Sequence, residues 1–208
     1  MHRLLACLAA LLLSACAVGN QHDYTTAMPQ LTAQGSSSVV VAVQDQRPYI
    51  LDHDKKENFC GLYRGGFGNP FDITTLSKNP LSMDFRNTIV AALKSKGFSA
   101  DPVETALASS DQEAKQALLA AAKDRALLLV IKEWKSDTYF NTSLLYDVTL
   151  TVLDRSGGIL AESKIGAAKD NLGPAALPRD ARIAVAKAYQ TKLEALLNDP
   201  KVVEALQQ

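Results

Sequence analysis

Three neighbouring stretches in the second half of the chain constrain the fold most, because each carries the pattern of a β-strand. Residues 126–131 form an unbroken apolar run, which is typical of a strand buried on both faces. Residues 146–152 and 159–165 alternate apolar and polar side chains, so one face of each strand meets a core and the other meets solvent. Gly157 and Gly158 supply a hairpin turn between these two strands. We therefore predict a three-stranded antiparallel meander over residues 126–166.

The rest of the chain supplies further strands and helices. Residues 38–43 are a β-branched run between polar residues, which predicts a first strand buried on both faces. Short strands are predicted at residues 49–51, 59–63 and 98–100. Apolar side chains at helical spacing and capping residues predict helices at 82–97, 110–123, 183–197 and from Pro200. We predict an α+β domain with an antiparallel sheet of about five to six strands and helices packed on one face.

The first sixteen residues carry the pattern of an export signal. Met1-His2-Arg3 is a short positive start, an apolar block follows at 4–13, and Ser14, Ala15 and Cys16 end the stretch. The apolar block is too short for a transmembrane helix, which needs about 20 residues. Two alternatives remain for this stretch, an ordinary signal peptide with a chance cysteine and a buried N-terminal helix.

Leu13 to Cys16 resemble the bacterial lipobox, the cleavage motif of lipoprotein precursors. The resemblance implies cleavage between Ala15 and Cys16, a diacylglycerol on the Cys16 Sγ, and a further acyl chain such as palmitate on the new amine. Two or more acyl chains hold a protein stably on a membrane. Ala17 stands where an Asp would retain an enteric-type lipoprotein in the inner membrane. We therefore expect a lipid anchor in the inner leaflet of the outer membrane, with the domain facing the periplasm.

Residues 16–37 are predicted to be the lipidated cysteine and a flexible tether, because polar and small residues dominate and no period is present. His22 would then be solvated. The predicted organisation is a signal peptide at 1–15, the anchor and tether at 16–37, and a single domain at 38–208.

Charge and cysteine usage exclude some classes of protein. The chain holds 22 basic and 22 acidic residues, so no basic field is present and we expect no nucleic-acid partner. Cys60 is the one cysteine that remains beyond Cys16, so an internal disulfide is not expected. We expect Cys60 to be a small buried residue, with a reactive thiol or an intermolecular bridge as the alternatives. Asp45 and Arg47 at the end of the first strand could pair with each other or with a loop, and as a pair we expect them to be structural rather than catalytic.

A glycine-rich stretch with flanking aromatic residues is the candidate binding loop. It runs from Arg64 to Phe71 and contains three glycines, but it lacks the spacing of a phosphate-binding loop. In one interpretation it is a hairpin end whose Phe67 and Phe71 pack back on the domain. In the other, Arg64, Phe67 and Phe71 are exposed and contact a partner or a lipid surface.

Sequence motifs for catalysis are missing, and we predict no enzyme activity, no cofactor and no metal site. The patterns of serine hydrolases, zinc proteases and penicillin-binding proteins do not occur in the sequence. Residues 52–58 begin like a calcium loop, but Lys56 stands where an acidic ligand is needed. A pair of carboxylates, as in a cell-wall hydrolase, stays open as an alternative.

The chain resembles the YajG-like group of bacterial outer-membrane lipoproteins. The resemblance rests on the lipobox, on the strand Val39–Val43 running into Asp45-Gln46-Arg47, on the helix end Leu93–Phe98, and on the hairpin strands from Leu127 to Ile165 before a C-terminal helix. Residues 60–71 are an insertion relative to that pattern. The resemblance implies an outer-membrane lipoprotein and supplies no catalytic residues.

These observations together predict a membrane-anchored periplasmic lipoprotein that is not an enzyme and that binds or assists a component of the cell envelope. Its expected partners are the membrane, through the lipid at Cys16, and an envelope protein. The alternative function is that of an accessory lipoprotein in an envelope transport system for lipid or lipopolysaccharide.

Overall fold

The computed structural model describes residues 20–107 and 109–208. Within this part of the chain, one eight-stranded sheet carries the fold, and no helix is long and apolar enough to cross a membrane. The strands are β1 (Gln21–His22), β2 (Ser38–Asp45), β3 (Phe59–Arg64), β4 (Pro70–Thr75), β5 (Ser99–Pro102), β6 (Arg125–Thr138), β7 (Asn141–Asp154) and β8 (Ile159–Pro174). The helices are α1 (Pro48–Leu51), α2 (Leu81–Ser95), α3 (Asp111–Ala120), α4 (Pro178–Leu197) and α5 (Pro200–Gln207).

Strand β6 organises the sheet because it is long enough to have two neighbours along one edge. Its 14 residues pair on one side with β7, and β7 pairs with β8, both antiparallel. On the other side, β2 runs parallel to the first half of β6 and β3 runs parallel to the second half. Strand β5 extends the sheet beside β2, while β4 and then β1 extend it beside β3. One edge of β6 therefore carries two separate sets of strands, β2 with β5 along its first half and β3 with β4 and β1 along its second half.

The predicted antiparallel sheet is confirmed for the meander β6–β8 and is wrong for most of the remaining strands. The pairs β2–β5, β2–β6, β3–β6 and β1–β4 are parallel. The physical reason is the connections: the segment with α1 separates β2 from β3, and α3 separates β5 from β6. Each of these crossovers returns the chain to the same end of the sheet, so the two strands that it joins run in the same direction. The fold is α+β with a mixed sheet.

Helices cover both faces of the sheet, so the prediction of helices on one face is also wrong. Val39 and Val41 of β2 face the main core, which contains the apolar sides of α2, α4 and α5. Val40 and Ala42 face the other way, into a smaller core with Leu118 of α3. A strand that is apolar on both faces needs cover on both, and α3 supplies the second cover.

Several local predictions are confirmed and others are corrected. The Ser110 and Glu113 side chains form the expected capping box at the start of α3, and Asp199 caps α5. Residues 49–51 are helical rather than extended, because Pro48 occupies the first helical position of α1. Strand β4 was not predicted as a strand, and β8 extends to Pro174, beyond the predicted end of the meander at residue 166.

The prediction of a flexible tether over residues 16–37 is wrong for residues 20–37. Strand β1 pairs with β4, and Tyr24 and Leu31 are buried. Two backbone amides of the segment are bound by the last turn of α4: Gln30 N–H donates to Glu194 Oε1 (2.9 Å) and Thr32 N–H donates to Asn198 Oδ1 (2.8 Å). The buried positions also include His22, Pro29 and Ala33, which are not large apolar residues, and this is why the apolar pattern of the sequence missed them.

Four aromatic side chains join this N-terminal segment to the core, and we call them the core aromatic cluster. The Tyr24 and Tyr189 ring centroids are 4.7 Å apart, and Phe85 lies 4.7 Å from Tyr189 and 5.0 Å from Trp134. Trp134 Nε1–H donates to the Tyr24 hydroxyl at 3.1 Å. The polar tips of these rings are thus satisfied inside the protein, as burial of such groups requires.

His22 is buried beside this cluster, not solvated as predicted. Its Nε2 lies 2.9 Å from the Ser136 Oγ, and burial, followed by the positive charge of Arg182, lowers the pKa of His22 to about 3. Ser136 itself fits because Gly61 faces it, where an added Cβ would collide with the serine side chain. His22 is therefore neutral at physiological pH and acts as part of the core.

Asp45 and Arg47 form the predicted pair, and the pair is buried. Arg47 Nε donates to Asp45 Oδ1 (2.8 Å) and Arg47 Nη2 donates to Asp45 Oδ2 (2.6 Å). The remaining Nη1 donates to the Phe59 carbonyl at 2.6 Å. Arg47 thereby ties the end of β2 to β3, so its role is structural.

Cys60 is a free cysteine in the core, as predicted. Its Sγ lies 3.6 Å from the Ile73 carbonyl oxygen. Burial raises the pKa of the Cys60 thiol to about 12, and the thiolate is the reactive form of cysteine. Cys60 is therefore an unreactive apolar residue in the folded protein.

Candidate functional site

Two turns project side by side from one end of the sheet, and we call them the aromatic turns. The first, residues 65–69, joins β3 to β4, and the second, residues 139–140, joins β6 to β7. They lie at the same end because β3 runs parallel to β6, with Tyr63 opposite Thr138. The Tyr139 hydroxyl donates to the Gly66 carbonyl at 3.3 Å and so links the two turns.

The aromatic turns expose large apolar side chains to solvent. Phe67 is fully exposed and Phe140 is 73% exposed. The Tyr139 and Phe140 rings are 4.1 Å apart and form a small aromatic pair. Phe67 therefore does not pack back on the domain, whereas Phe71 is partly buried. For Phe67, the structure agrees with the interpretation in which the loop is exposed. Binding of a partner by this loop stays a prediction.

The backbone of the first turn is fixed by its own hydrogen bonds. Gly65 N–H donates to the Asn69 carbonyl at 2.9 Å, and Gly68 N–H donates to the Gly65 carbonyl at 2.8 Å. Gly68 has a φ of +80°, a left-handed conformation that glycine adopts without strain. The glycines of this stretch thus shape a tight turn that presents Phe67 at its tip.

An open cleft of about 660 Å³ lies beside the aromatic turns, between them and the second half of β8. It is on the face of the sheet opposite the main core, because Ser143 and Leu145 alternate with the core residues Leu144 and Tyr146. Helix α3 covers only the first half of this face. The cleft is lined by Arg64, Asp137, Tyr139, Phe140, Asn141, Ser143, Leu145, Ala168, Lys169 and Asn171.

An ion pair between Arg64 and Asp137, which we call the charged fork, forms one wall of the cleft. Arg64 Nε donates to Asp137 Oδ1 (2.8 Å) and Arg64 Nη2 donates to Asp137 Oδ2 (2.6 Å). These hydrogen bonds raise the pKa of Arg64. The two side chains are about one-third exposed, at 36% and 29%, so the fork is held in place and still reaches solvent.

The lining combines groups that suit a ligand with an anionic and an apolar part. Lys169 adds a second cation beside the fork, and Asn141 and Asn171 add amide groups. Phe140 and Leu145 supply the apolar part of the surface. A few oriented polar groups in an apolar concave surface are the usual composition of a binding site.

The groups with strongly shifted pKa values lie away from this cleft. His22, Cys60 and Tyr189 owe their shifts to burial in the main core. In the described ranges 20–107 and 109–208, no three His, Cys, Asp or Glu side chains cluster in a way that could hold a metal ion. The cleft therefore offers binding groups, and the carboxylate in its lining, Asp137, is already paired to Arg64.

The predicted site residues have different outcomes. Arg64 lies in the cleft wall, Phe67 is exposed on the first aromatic turn and does not line the cleft, and Phe71 lies on β4 beyond the turn. Ala15 and Cys16 lie outside the described residues. Sequence reasoning missed Asp137, Lys169 and the Tyr139–Phe140 pair. Two adjacent aromatic residues between two strand patterns are the signal that would have located the second turn.

No family model and no curated protein matches the chain in sequence, so the YajG-like resemblance stays a prediction. Solved structures do match. Protein XCC0632 from Xanthomonas campestris, of the family model DUF330, aligns with a TM-score of 0.57 at 11% identity, over 88% of this chain and 96% of that one. This likeness shows the fold.

Two further structures are less similar. A PelC dodecamer from Paraburkholderia phytofirmans gives a TM-score of 0.43 at 14% identity, over 82% of this chain and 94% of that one. Lipoprotein GNA1162 from Neisseria meningitidis gives a TM-score of 0.30 at 11% identity, over 66% of this chain and 84% of that one. The descriptions of assembly and lipidation apply to those two proteins.

Proposed function

We propose that this protein is a non-enzymatic lipoprotein of the bacterial envelope that binds an envelope component in the cleft beside the aromatic turns. It is held by a diacylglycerol on Cys16 in the inner leaflet of the outer membrane and faces the periplasm. The observation that carries the proposal is the open cleft, with the Arg64–Asp137 fork in its wall and Phe140 at its rim.

Binding fits the cleft better than catalysis does. A general acid or base usually has a pKa displaced towards the working pH and faces the substrate. The displaced groups of this protein, such as His22 and Cys60, are instead enclosed in the core. Asp137 is engaged by both arms of the Arg64 fork, which favours a fixed binding surface.

Anchoring at Cys16 fits the packing of the N-terminal segment. The chain is bound to the domain from strand β1 onward, so only residues 16–19 separate the lipid from the fold. A stretch of this length spans at most about 14 Å. The anchor would therefore hold the cleft close to the membrane surface, where envelope lipids and membrane proteins are available as ligands.

The amphipathic lining favours a second candidate, an accessory lipoprotein of an envelope transport system for lipid or lipopolysaccharide. Such ligands carry anionic head groups next to acyl chains. Arg64 and Lys169 would meet the charged part, and Phe140 and Leu145 would meet the apolar part. In this function the cleft would contact the transported molecule directly.

Metabolic labelling with a fatty acid tests the anchor. The parent protein is expected to take up labelled palmitate and to fractionate with the outer membrane. Cys16→Ser should remain an unlabelled full-length precursor, and Cys60→Ser, which removes the buried thiol, should label like the parent. Labelling of Cys16→Ser would contradict the anchor.

Photo-crosslinking in intact cells tests the cleft. A photoreactive residue at Asn171, inside the cleft, should trap a defined neighbour. The same residue at Glu162, which is exposed on the first half of the same strand, is the matched control. A trapped lipid or lipopolysaccharide favours the transport function, and a trapped protein favours the general one. Equal trapping at both positions would contradict a binding cleft.

A further inference from the structure

We propose that the aromatic turns are a second membrane contact, in which Phe67, Tyr139 and Phe140 enter the surface of the bilayer that holds the lipid anchor. This inference rests on the proposed anchor at Cys16. It assigns a lipid surface as the partner of the exposed rings and fixes which end of the domain faces the membrane.

The direction of β1 brings the anchor and the aromatic turns to the same end. Strand β1 runs parallel to β4 with Gln21 opposite Thr74, and Thr74 N–H donates to the Asn20 carbonyl at 3.3 Å. Strand β4 starts at Pro70, directly after the first aromatic turn. Because the strands are parallel, the N-terminal end of β1 faces the same end of the sheet as that turn.

The length of chain between Cys16 and Asn20 also matches the distance along β4 to the first aromatic turn. Cys16 precedes Asn20 by four residues, which span at most about 14 Å when fully extended. The four residue steps of β4 from Thr74 back to Pro70 cover about 13 Å. Cys16 can therefore reach the level of the first aromatic turn, and its acyl chains would enter the membrane beside Phe67.

The chemistry of this end suits a lipid surface. The side chains of Phe67 and Phe140 have no polar atom to direct towards water. Leu177 is also exposed at this end, because it lies two positions after Ala175, whose N–H donates to the Phe140 carbonyl at 3.0 Å. Aromatic side chains are enriched where protein meets the membrane–water interface. Exposed Arg179 and Arg182 on the first turns of α4 add cations for lipid phosphates.

The opposite end of the sheet provides an internal control. Ile159 is 58% exposed and lies beside the β7–β8 turn. The whole length of β7, about 45–50 Å, separates it from the aromatic turns. A membrane that meets the domain end-on at Phe67 and Phe140 is therefore far from Ile159.

Tryptophan fluorescence with brominated lipids tests the contact. The chain has one tryptophan, Trp134, which is completely buried and gives a constant background. The variants Phe67→Trp, Phe140→Trp and Ile159→Trp, each purified with its lipid, are placed in phosphatidylcholine vesicles. Bromines near the head group should remove most of the added emission at positions 67 and 140, and bromines at the chain ends less, since interfacial groups sit about 5–10 Å deep. Position 159 should keep its emission.

The outcomes separate this inference from the proposed function. Mass spectrometry of the same samples reports the lipid on Cys16, so a chain without lipid contradicts the anchor and, with it, the membrane contact that rests on the anchor. Absence of quenching at both 67 and 140 in a chain that carries the lipid overturns the membrane contact and leaves the anchor standing. Equal quenching at 159 overturns it too. An emission shift that depends on protein concentration but not on lipid would mean that a second copy covers the turns, and would also overturn it.

Discussion

The core aromatic cluster and the aromatic turns are two groups of aromatic side chains that differ in burial. In the core aromatic cluster, Tyr24, Phe85, Trp134 and Tyr189 pack against each other, and the Trp134 N–H has the Tyr24 hydroxyl as its partner. In the aromatic turns, Phe67 and Phe140 lie in solvent. Burying a ring stabilises the fold, whereas an exposed ring does not. The comparison teaches that the first group holds the N-terminal segment and the second is available for a partner.

The largest expected difference between the groups is in stability. Trp134→Ala should lower the free energy of unfolding by about 3–5 kcal/mol, because it leaves a large cavity in the core. Phe140→Ala, the matched change in the aromatic turns, should alter it by no more than about 0.5 kcal/mol. Urea unfolding of both variants measures the difference. Similar losses would mean that the two groups do not differ as described.

The pH dependence of stability tests the burial of His22 beside the core cluster. Its pKa is about 3 in the folded protein and 6.5 in the unfolded chain, so only the unfolded chain gains a proton as the pH falls between these values. Stability is therefore complete above pH 6.5 and declines as the pH falls, by about 2–3 kcal/mol from this residue at about pH 4.5.

Urea midpoints across this pH range measure the effect. His22→Gln should flatten the decline, and His53→Gln, which changes an exposed histidine, should keep it. A decline that is the same in all three proteins would show that His22 is not responsible.

A smaller effect is expected from one hydroxyl in the core cluster. Tyr24→Phe removes the acceptor of the Trp134 N–H and leaves that group buried and unpaired, which costs about 1–3 kcal/mol. Tyr139→Phe removes a surface hydrogen bond to Gly66 and should cost less than about 0.5 kcal/mol. Thermal unfolding of both variants measures the effects, and a loss confined to Tyr139→Phe would reverse the comparison.

The smallest stability effect is expected when both exposed rings are removed together. The double variant Phe67→Ser and Phe140→Ser should unfold within about 0.5 kcal/mol of the parent. A loss of more than 2 kcal/mol would place the two rings in the folded core and would argue against a binding role.

Part of the candidate site was predictable from sequence. The glycines and aromatic residues from Arg64 to Phe71 drew attention to the first aromatic turn, and Phe67 is exposed at its tip. Asp137 was not predictable, because it lies 73 positions from Arg64 and belongs to another strand. The two meet only because β3 pairs with the second half of β6, and local patterns contain no information about such pairing.

The sequence by itself determined the elements whose pattern is local. The meander of β6 to β8, the capped start of α3 and the burial of Cys60 follow from alternation, capping residues and an isolated thiol. These features depend on side chains only a few positions apart, so a linear pattern records them.

Only the tertiary structure decided the parallel pairing of β2 and β3 along one edge of β6, and the docking of residues 20–37. The N-terminal segment has few large apolar side chains of its own, and it is held by contacts with α4 and β4. Its buried residues gain their stability from surfaces made elsewhere in the chain. Such contacts are chosen by the shape of the assembled core, which no short stretch of sequence contains.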